Sequence, residues 1–423
     1  MNEIEAVGAE AAFGQVPERQ LISGRPWLFA LLIAPAAVTA NGVIQGGVLA
    51  YILSQSGIGS GEQSHLVSLL ALPTTIYFMW SPLTDFLVRR RTWLLIGGLS
   101  AGMLMGISLA QNDLRSISTL VLMFLAACFS QLVVSSCGGM MGEFQSVRMR
   151  RNAGCFYQGA ALGFGALAAL VLIPLSDAGR HGLLGLAAGA MIALPALSAF
   201  AAPKQEVVGG ETFGETWRRI RREFMETFWR WRAIPYTLCM LFPMGSGAAV
   251  ALITGVAKSY GVNGAHVAWM NGFGGAVLMG AGSLAAALIP VKSRAPVVYL
   301  LIGLLNAVAL AVTWLGPLRP TTYYLGVTLY LFATGAAYAY FTAVVLEFLG
   351  QSGKSGSGRY SIINSLGNVP VLYMIRLDGW GGDKWGPRGL SGADAVVSAA
   401  GALILLAYFL RRDEGRKEAL SRS

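Results

Sequence analysis

Charge is scarce in this chain. Only 12% of its 423 residues are Asp, Glu, Lys or Arg, against about 25% in a soluble domain. That excludes a disordered tail, which needs high charge and low hydrophobicity, and it excludes an ordinary water-soluble enzyme. Cysteine is scarce as well. The four present (Cys128, Cys137, Cys155 and Cys239) lie in apolar runs or at their edges. None has a CxxC partner, so they read as small packing residues rather than as a disulfide framework or a metal ribbon. The three histidines, His65, His181 and His266, fall at the edges of apolar runs, and no HExxH occurs. No metal site and no cofactor is expected. Two letter matches to nucleotide motifs fail. Gly350-Gln-Ser-Gly353-Lys354-Ser355 has Phe348 where a phosphate loop needs glycine, and Gly163-Phe-Gly165 lies within an apolar run. Residues 1–25 carry Glu3, Glu5, Glu10 and Glu18 without an apolar core, which does not fit a signal peptide.

What is abundant is apolar surface. Hydrophobic residues make up 55%, glycine contributes 54 positions, and the mean hydropathy is +0.58. A bilayer span needs about 20 apolar residues. Twelve runs qualify: 27–53, 63–85, 93–111, 117–142, 153–174, 183–202, 234–257, 265–290, 296–315, 322–347, 360–377 and 391–410. They are continuous rather than alternating, which excludes a β-barrel. The expected fold is an all-α membrane protein with twelve transmembrane helices in two six-helix, pseudo-symmetric halves.

The basic residues sort to one side of these spans. Arg89, Arg90 and Arg91, then Arg148 and Arg150, then Arg218, Arg219, Arg221 and Arg222, then Lys292 and Arg294, and finally Arg411, Arg412, Arg416 and Lys417 all fall on the same face. Such a bias places that face and both termini in the cytoplasm. It also accounts for the net charge of +10 without nucleic acid as a partner. The expected organisation is a cytoplasmic tail 1–26, a six-helix half 27–202, a linker 203–233, a second half 234–410 and a cytoplasmic tail 411–423. In the linker, Phe213, Trp217, Ile220, Phe224, Phe228 and Trp231 recur at helical spacing between arginines. That pattern predicts an amphipathic helix on the lipid surface. Landmarks repeat between the halves: Glu143 and Glu347, Arg151 and Arg359, His65 and His266 are each about 200 residues apart, as in transporters built from parallel repeats.

Charge inside a span is costly and calls for an account. None of the spans as drawn carries a charge near its middle, and the notable acids sit at cytoplasmic ends: Asp85, Glu143 and Glu347. Asp85 closes span two and is followed by Arg89, Arg90 and Arg91. Glu143 precedes Arg151, and Glu347 precedes Arg359. A carboxylate that accepts hydrogen bonds from arginines at the inner mouth makes a breakable link between helices, so these eight residues form a candidate cytoplasmic gate. Neutral polar residues deeper in the spans are candidates for a substrate cavity: Asn41, Gln45, Gln131, Tyr157, Gln158, Asn271, Tyr338, Asn364 and Asn368. Each alone could be glue between helices; as a set they suit a small polar solute. Glycines four apart, Gly98, Gly102 and Gly106, and also Gly159 and Gly163, read as close helix packing.

The segment Trp80-Ser-Pro-Leu-Thr-Asp85 through Arg89-Arg-Arg-Thr-Trp93 resembles the loop between helices two and three of the major facilitator superfamily. With Gly142-Glu143, Arg148 to Arg151 and Gly159-Ala-Ala-Leu-Gly163, and with Glu347 and Arg359-Tyr-Ser-Ile-Ile-Asn-Ser-Leu366, it looks most like the AmpG-type muropeptide permeases. Acetyl-CoA transporters and siderophore permeases of the RhtX/FptX type share the pattern. The chain departs from it at Pro82, where the family usually has glycine, and at 290–294, where the second-half loop has no acid. The resemblance implies a secondary active permease of a bacterial inner membrane, an importer of a muropeptide-like sugar or a siderophore, with no catalytic residues. Protons as a coupling ion are suggested by Glu143 and Glu347, the acids at matching places in both halves, whose alternative role is a salt bridge with Arg151 and Arg359; span one has no embedded carboxylate to carry a proton. An integral-membrane transferase is the alternative from another class, and its acids would be Glu143 and Glu347. A receptor or scaffold on the same fold is a third.

Overall fold

The computed structural model describes residues 25–79, 83–84, 88–142, 147–202, 214–215, 218, 221–222, 225, 228–229, 233–244, 246–289, 294–350 and 365–421. Among the described residues, every regular element is helical, and the helices fall into twelve consecutive segments. The first six are α1 (Leu28–Gln55), α2 (Ser60–Ile76, extended by Tyr77–Met79), α3 (Arg90–Leu109), α4 (Ile117–Gly142), α5 (Val147–Asp177) and α6 (His181–Ala196, extended by Leu197–Ala201). Then α7 comes in three pieces, Ile234–Leu241, Val250–Ile253 and Ala257–Tyr260. The next, α8, runs from Gly264–Trp269 through a wide turn, Met270–Gly274, into Gly275–Ala287. It is followed by α9 (Ala295–Leu315) and α10 (Pro320–Gly350). The stretch Val369–Ser421 holds the last two helices, α11 and α12, divided by a turn at Trp385 and Gly386. Pro387 opens α12, a position where its missing N–H costs nothing. Seven segments of the described residues are long and apolar enough to span a bilayer unaided.

Short turns between consecutive helices make neighbours antiparallel. One end of the bundle therefore carries Arg89, Arg90, Arg91, Arg294 and Arg411, and the other carries the turns at 56–59, 178–180, 261–263 and 385–386. We call these the arginine end and the turn end.

The apolar core explains the shape. At the turn end a single cluster runs through both groups of helices, from Val48, Leu70 and Leu172 across to Leu252, Val267, Val327 and Met374. At the arginine end, among the described residues, there are two separate clusters. One holds Leu28, Leu32, Leu94, Cys137 and Ala199 from α1, α3, α4 and α6. The other holds Tyr236, Cys239, Leu300, Val345 and Phe409 from α7, α9, α10 and α12. A core that is continuous at one end and divided at the other describes two bundles joined at the turn end and parted at the arginine end. The arginines contribute to each bundle separately. Arg90 lies over Gly139 of α4, the Arg91 guanidinium stands 5.5 Å from the Phe200 ring of α6, and Arg294 stands 5.7 Å from the Phe409 ring of α12.

The two glycine runs behave differently. Gly98, Gly102 and Gly106 abut Ala196, Ala193 and Gly185 of α6, with no room for a Cβ; that run packs helices as expected. Gly159 and Gly163 of α5 have nothing within 4 Å. Further along the same helix, Ala166 and Leu170 press on Gly272 of α8. So α5 and α8 touch toward the turn end and diverge toward the arginine end, and the second glycine run faces open space rather than a neighbouring helix.

Candidate functional site

The seam between the bundles is built from three helix pairs. In the first, α1 meets α7: Thr254 donates its hydroxyl to the Gly47 carbonyl at 2.7 Å. Gly47 has φ +87, a left-handed conformation that also ends the wide helical turn Ala37–Ile44. A side chain there would be strained and would strike Thr254.

The second and third pairs are closed by acids at helix starts. At the end of α11, Asp383 accepts from the Gly61 N–H at 2.8 Å and from the Ser60 hydroxyl at 3.2 Å. The α2 N-terminus has no cap from its own Gly59, so a carboxylate from the other bundle satisfies its free N–H groups and meets the positive end of its dipole. At the end of α5, Asp177 accepts from the Tyr51 hydroxyl at 2.7 Å and fills the space against Gly264, the first residue of α8. Asp177 and Asp383 are related by the same interval of about 200 residues that relates the sequence landmarks. Of the two, only Asp383 fastens the bundles by hydrogen bonds; the Tyr51–Asp177 hydrogen bond stays within the first bundle, and Asp177 reaches the second only by packing against Gly264, where Asn263 caps α8.

Polar groups then line the α2–α11 seam. Gln45 of α1 donates to the Thr74 hydroxyl at 3.1 Å, and Asn368 of α11 donates to the Thr74 carbonyl at 3.0 Å. Two residues singled out by sequence are thus brought to one point from opposite bundles. Arg376 of α11 donates from Nε to the Ser68 hydroxyl of α2 at 2.9 Å. Span eleven as drawn from the sequence, 360–377, ends one residue after Arg376, and the span centres so drawn are left without charge. The structure corrects this: α11 continues to the turn at Trp385, which puts Arg376 in its middle. The cause is composition. Residues 378–389 are rich in Gly, carry Asp378, Asp383, Lys384 and Arg388, and read as a loop, but Gly379 and Gly382 are small because Ser64 and Ser60 of α2 lie against them, and Gly381 meets Gly389 of α12.

The break in α7 is held by tyrosines of other helices. A break frees carbonyls that have no helical partner and that lipid cannot satisfy. The Tyr299 hydroxyl donates to the Met244 carbonyl at 2.7 Å, Tyr373 donates to Leu241 at 2.7 Å, and Tyr338 donates to Ser246 at 3.4 Å. The Ala249 N–H donates to the Tyr330 hydroxyl at 3.2 Å. Gly247 supplies the turn, with φ +76. Tyr338 and Tyr373 are exposed while Tyr299 and Tyr330 are buried, so the broken helix presents two phenol faces and a backbone held from behind. Discontinuous helices of this kind line transporter binding sites.

The other sequence candidates are placed as follows. Asn41 is exposed and its amide reaches the Ala161 carbonyl of α5 at 3.3 Å. Gln158 is exposed and Tyr157 half-buried on α5. Gln131 is buried, with its amide toward Ser130. Asn271 turns its amide onto its own helix, at the Val267 carbonyl, 3.1 Å away. Of the gate residues, Arg89 is exposed and Arg90 and Arg91 pack within their own bundle. Asp85, Glu143, Arg359 and Asn364, with the side chains of Arg151 and Glu347, lie outside the described residues. So does most of the linker; Phe228 of its expected apolar face packs on the second bundle. Cys128, Cys137 and Cys239 are free thiols, the last two buried. The acids Asp177, Asp378, Asp383 and Asp394 and the tyrosines Tyr299, Tyr330 and Tyr373 were missed. The signal that could have found them was the repeat interval for the first and third, and tyrosine abundance beside the prolines and glycines of 243–247 for the tyrosines.

No family model and no curated protein sequence matches the chain. Solved structures do match. A peptide transporter POT, crystallised as a mutant, aligns with a TM-score of 0.68 at 13% identity, over 91% of this chain and 94% of that one. A POT family transporter in complex with 5-aminolevulinic acid aligns with a TM-score of 0.69 at 11% identity, over 90% and 95%. A D-xylose-proton symporter aligns with a TM-score of 0.64 at 13% identity, over 90% and 95%. These similar structures are transporters and not enzymes. The chain has their fold, the twelve-helix architecture of the major facilitator type.

Proposed function

We propose that the protein is a secondary active transporter that moves a small polar solute by alternating access, and that the solute carries a carboxylate. The observation that carries the reading is the divided core: two bundles fastened at the turn end by Asp383 and by the Thr254–Gly47 hydrogen bond and, among the described residues, parted at the arginine end. The arginine bias assigns the open end to the cytoplasm, so the structure corresponds to an inward-facing state. Arg376 supports the choice of solute. An arginine at mid-span marks a substrate path, and its guanidinium offers further donors for a bidentate carboxylate once Nε is on Ser68. Gln45 and Asn368, which meet at Thr74 on the same seam, and Tyr338 and Tyr373 at the break in α7 supply neutral polar groups. The solved peptide transporters and the sugar symporter are consistent with this class. Among polar solutes we favour a muropeptide-like sugar taken into the cytoplasm of a bacterium across its inner membrane, which follows the AmpG-like segment at 80–93. Asp85, Glu143, Arg151, Glu347 and Arg359, with Arg89 to Arg91, are proposed to close the arginine end when the turn end opens.

The test is uptake of labelled anhydro-muropeptide into membrane vesicles, with and without an uncoupler. We expect uptake that the uncoupler abolishes and that Arg376→Gln and Asp85→Asn each reduce at least tenfold in folded protein. Uptake of a carboxylate siderophore instead would move the substrate to the siderophore permeases. Transport equally good in Arg376→Gln would remove the carboxylate anchor.

A further inference from the structure

Asp378 of α11 and Asp394 of α12 are buried completely, at 0% and 2% exposure. Neither oxygen of Asp378 has a hydrogen-bond partner. Asp394 accepts from the Ser398 hydroxyl at 2.6 Å through one oxygen, and its other oxygen is bare. The two side chains lie within one another's field, and their helices are in backbone contact one turn away, at Gly381 and Gly389. The surroundings offer no counter-charge. Among the described residues, the titratable groups whose field reaches the acids are Tyr330 of α10, for both, and Tyr373 of α11, for Asp394. Ala249 of α7, Ala309 and Leu310 of α9 and Ala395 of α12 close the region with apolar groups. Among the described residues no Lys, Arg or His acts on either carboxyl. Arg376, two residues away, is on the opposite face of α11 and engages α2.

Two bare carboxylates in such a place would each carry a desolvation penalty of several kcal/mol and would repel one another. We propose that Asp378 and Asp394 form a proton-binding site within the second bundle, holding a proton between them. A proton on one carboxyl turns it into a donor for the other and removes the repulsion, and it gives one of the two orphaned oxygens of Asp378 a partner. A metal cation fits less well. Calcium or a similar hard ion needs at least six oxygens, and no group of three metal-ligating side chains stands together among the described residues. Loading the site is a transfer from hydronium to a carboxylate oxygen, which leaves a water molecule; release is the reverse. Discharge leaves two buried anions that the α11–α12 hairpin cannot keep in contact. Tyr330, which lies in the field of both acids, also accepts from the Ala249 N–H, so a shift of the hairpin reaches the broken part of α7. The role of the site as the coupling site rests on the transporter reading above, but its existence does not.

The experiment is therefore spectroscopic. Infrared spectra of the purified full-length chain in detergent, in water and in heavy water near neutral pH, read protonated carboxyl groups through their carbonyl stretch. We expect a deuterium-sensitive protonated-carboxyl band in the natural chain, absent from the Asp378→Asn/Asp394→Asn double variant and retained in Asp177→Asn. Asparagine has the size and neutrality of a protonated acid, so the fold is expected to survive, as circular dichroism would show. If the double variant does not fold, isotope-edited spectra of the natural chain with carboxyl-labelled aspartate make the same test. Identical spectra for the natural chain and the double variant, or no labelled aspartic-acid band, would overturn the proposal. So would loss of the band when sodium is added at constant pH, because the occupant would then be a metal ion. A band that passes these tests in a protein that transports nothing would leave the site standing and sink only its coupling role.

Discussion

Asp383→Ala removes a cap that exists only while the turn end is closed. The carboxylate accepts two hydrogen bonds from the first residues of α2, at 2.8 and 3.2 Å, and belongs to the other bundle. Helix caps of this kind contribute about 0.5–2 kcal/mol. The site is exposed, so water takes over part of the loss, and a value near ~1.4 kcal/mol is appropriate. That energy stabilises the closed arrangement alone, since in the open arrangement water caps α2 in both proteins. Its loss shifts the closed-to-open ratio about tenfold. The shift is measurable as a distance distribution between spin labels at Gln55→Cys and Lys384→Cys, with Cys128, Cys137, Cys155 and Cys239 replaced, in lipid. The ratio of the long-distance to the short-distance population should rise by roughly that factor. An unchanged distribution in folded protein would refute the argument, and so would a rise in the closed population.

Four further outcomes are expected. Tyr51→Phe takes the hydroxyl from Asp177 within the first bundle and should lower the melting temperature, with a loss of about 0.5–1.5 kcal/mol, while leaving the spin-label distances unchanged. Gly47→Ala meets both the positive φ and Thr254, and should lower the midpoint of thermal unfolding, with a loss of about 1–3 kcal/mol. Gly102→Leu forces α3 from Ala193 and Gly189 and should cost more than the same change at Gly163, where nothing lies within 4 Å; detergent melting curves of the two variants make the comparison. Tyr338→Phe leaves the Ser246 carbonyl without its donor and should raise KM for the transported solute more than it lowers the melting temperature, because that tyrosine is exposed and its hydrogen bond, at 3.4 Å, is long.

The number of helices and most of their limits were legible because lipid leaves a strong mark. A run of some 20 apolar residues has few other uses, and α3, α4 and α6 match their runs closely. The site was only partly legible. Gln45 and Asn368 could be picked as bulky amides in apolar runs, yet nothing in the sequence says that both reach Thr74, because that contact depends on how the bundles meet. Arg376, Asp378 and Asp394 were hidden by a boundary. Glycines that let α11 and α12 approach α2 and each other look like loop glycines when read along the chain. The acids of the turn end were hidden differently. An acid after an apolar run is the ordinary way for a helix to reach water, and only the partner's bare N-terminus makes Asp383 a fastening.

The broken helix α7 has a consequence for how the chain is made. Its carbonyls at Leu241, Met244 and Ser246 depend on Tyr299, Tyr338 and Tyr373, and all three are synthesised later than α7 itself. When α7 leaves the ribosome its partners do not exist, and in hydrocarbon each bare carbonyl costs several kcal/mol. The segment therefore has no stable place in the bilayer on its own. It must wait at the water interface or in the insertion machinery until α11 has been made. Assembly of the second bundle thus ends with α7, although α7 comes first in the chain, and a truncation before Tyr373 should leave it outside the membrane.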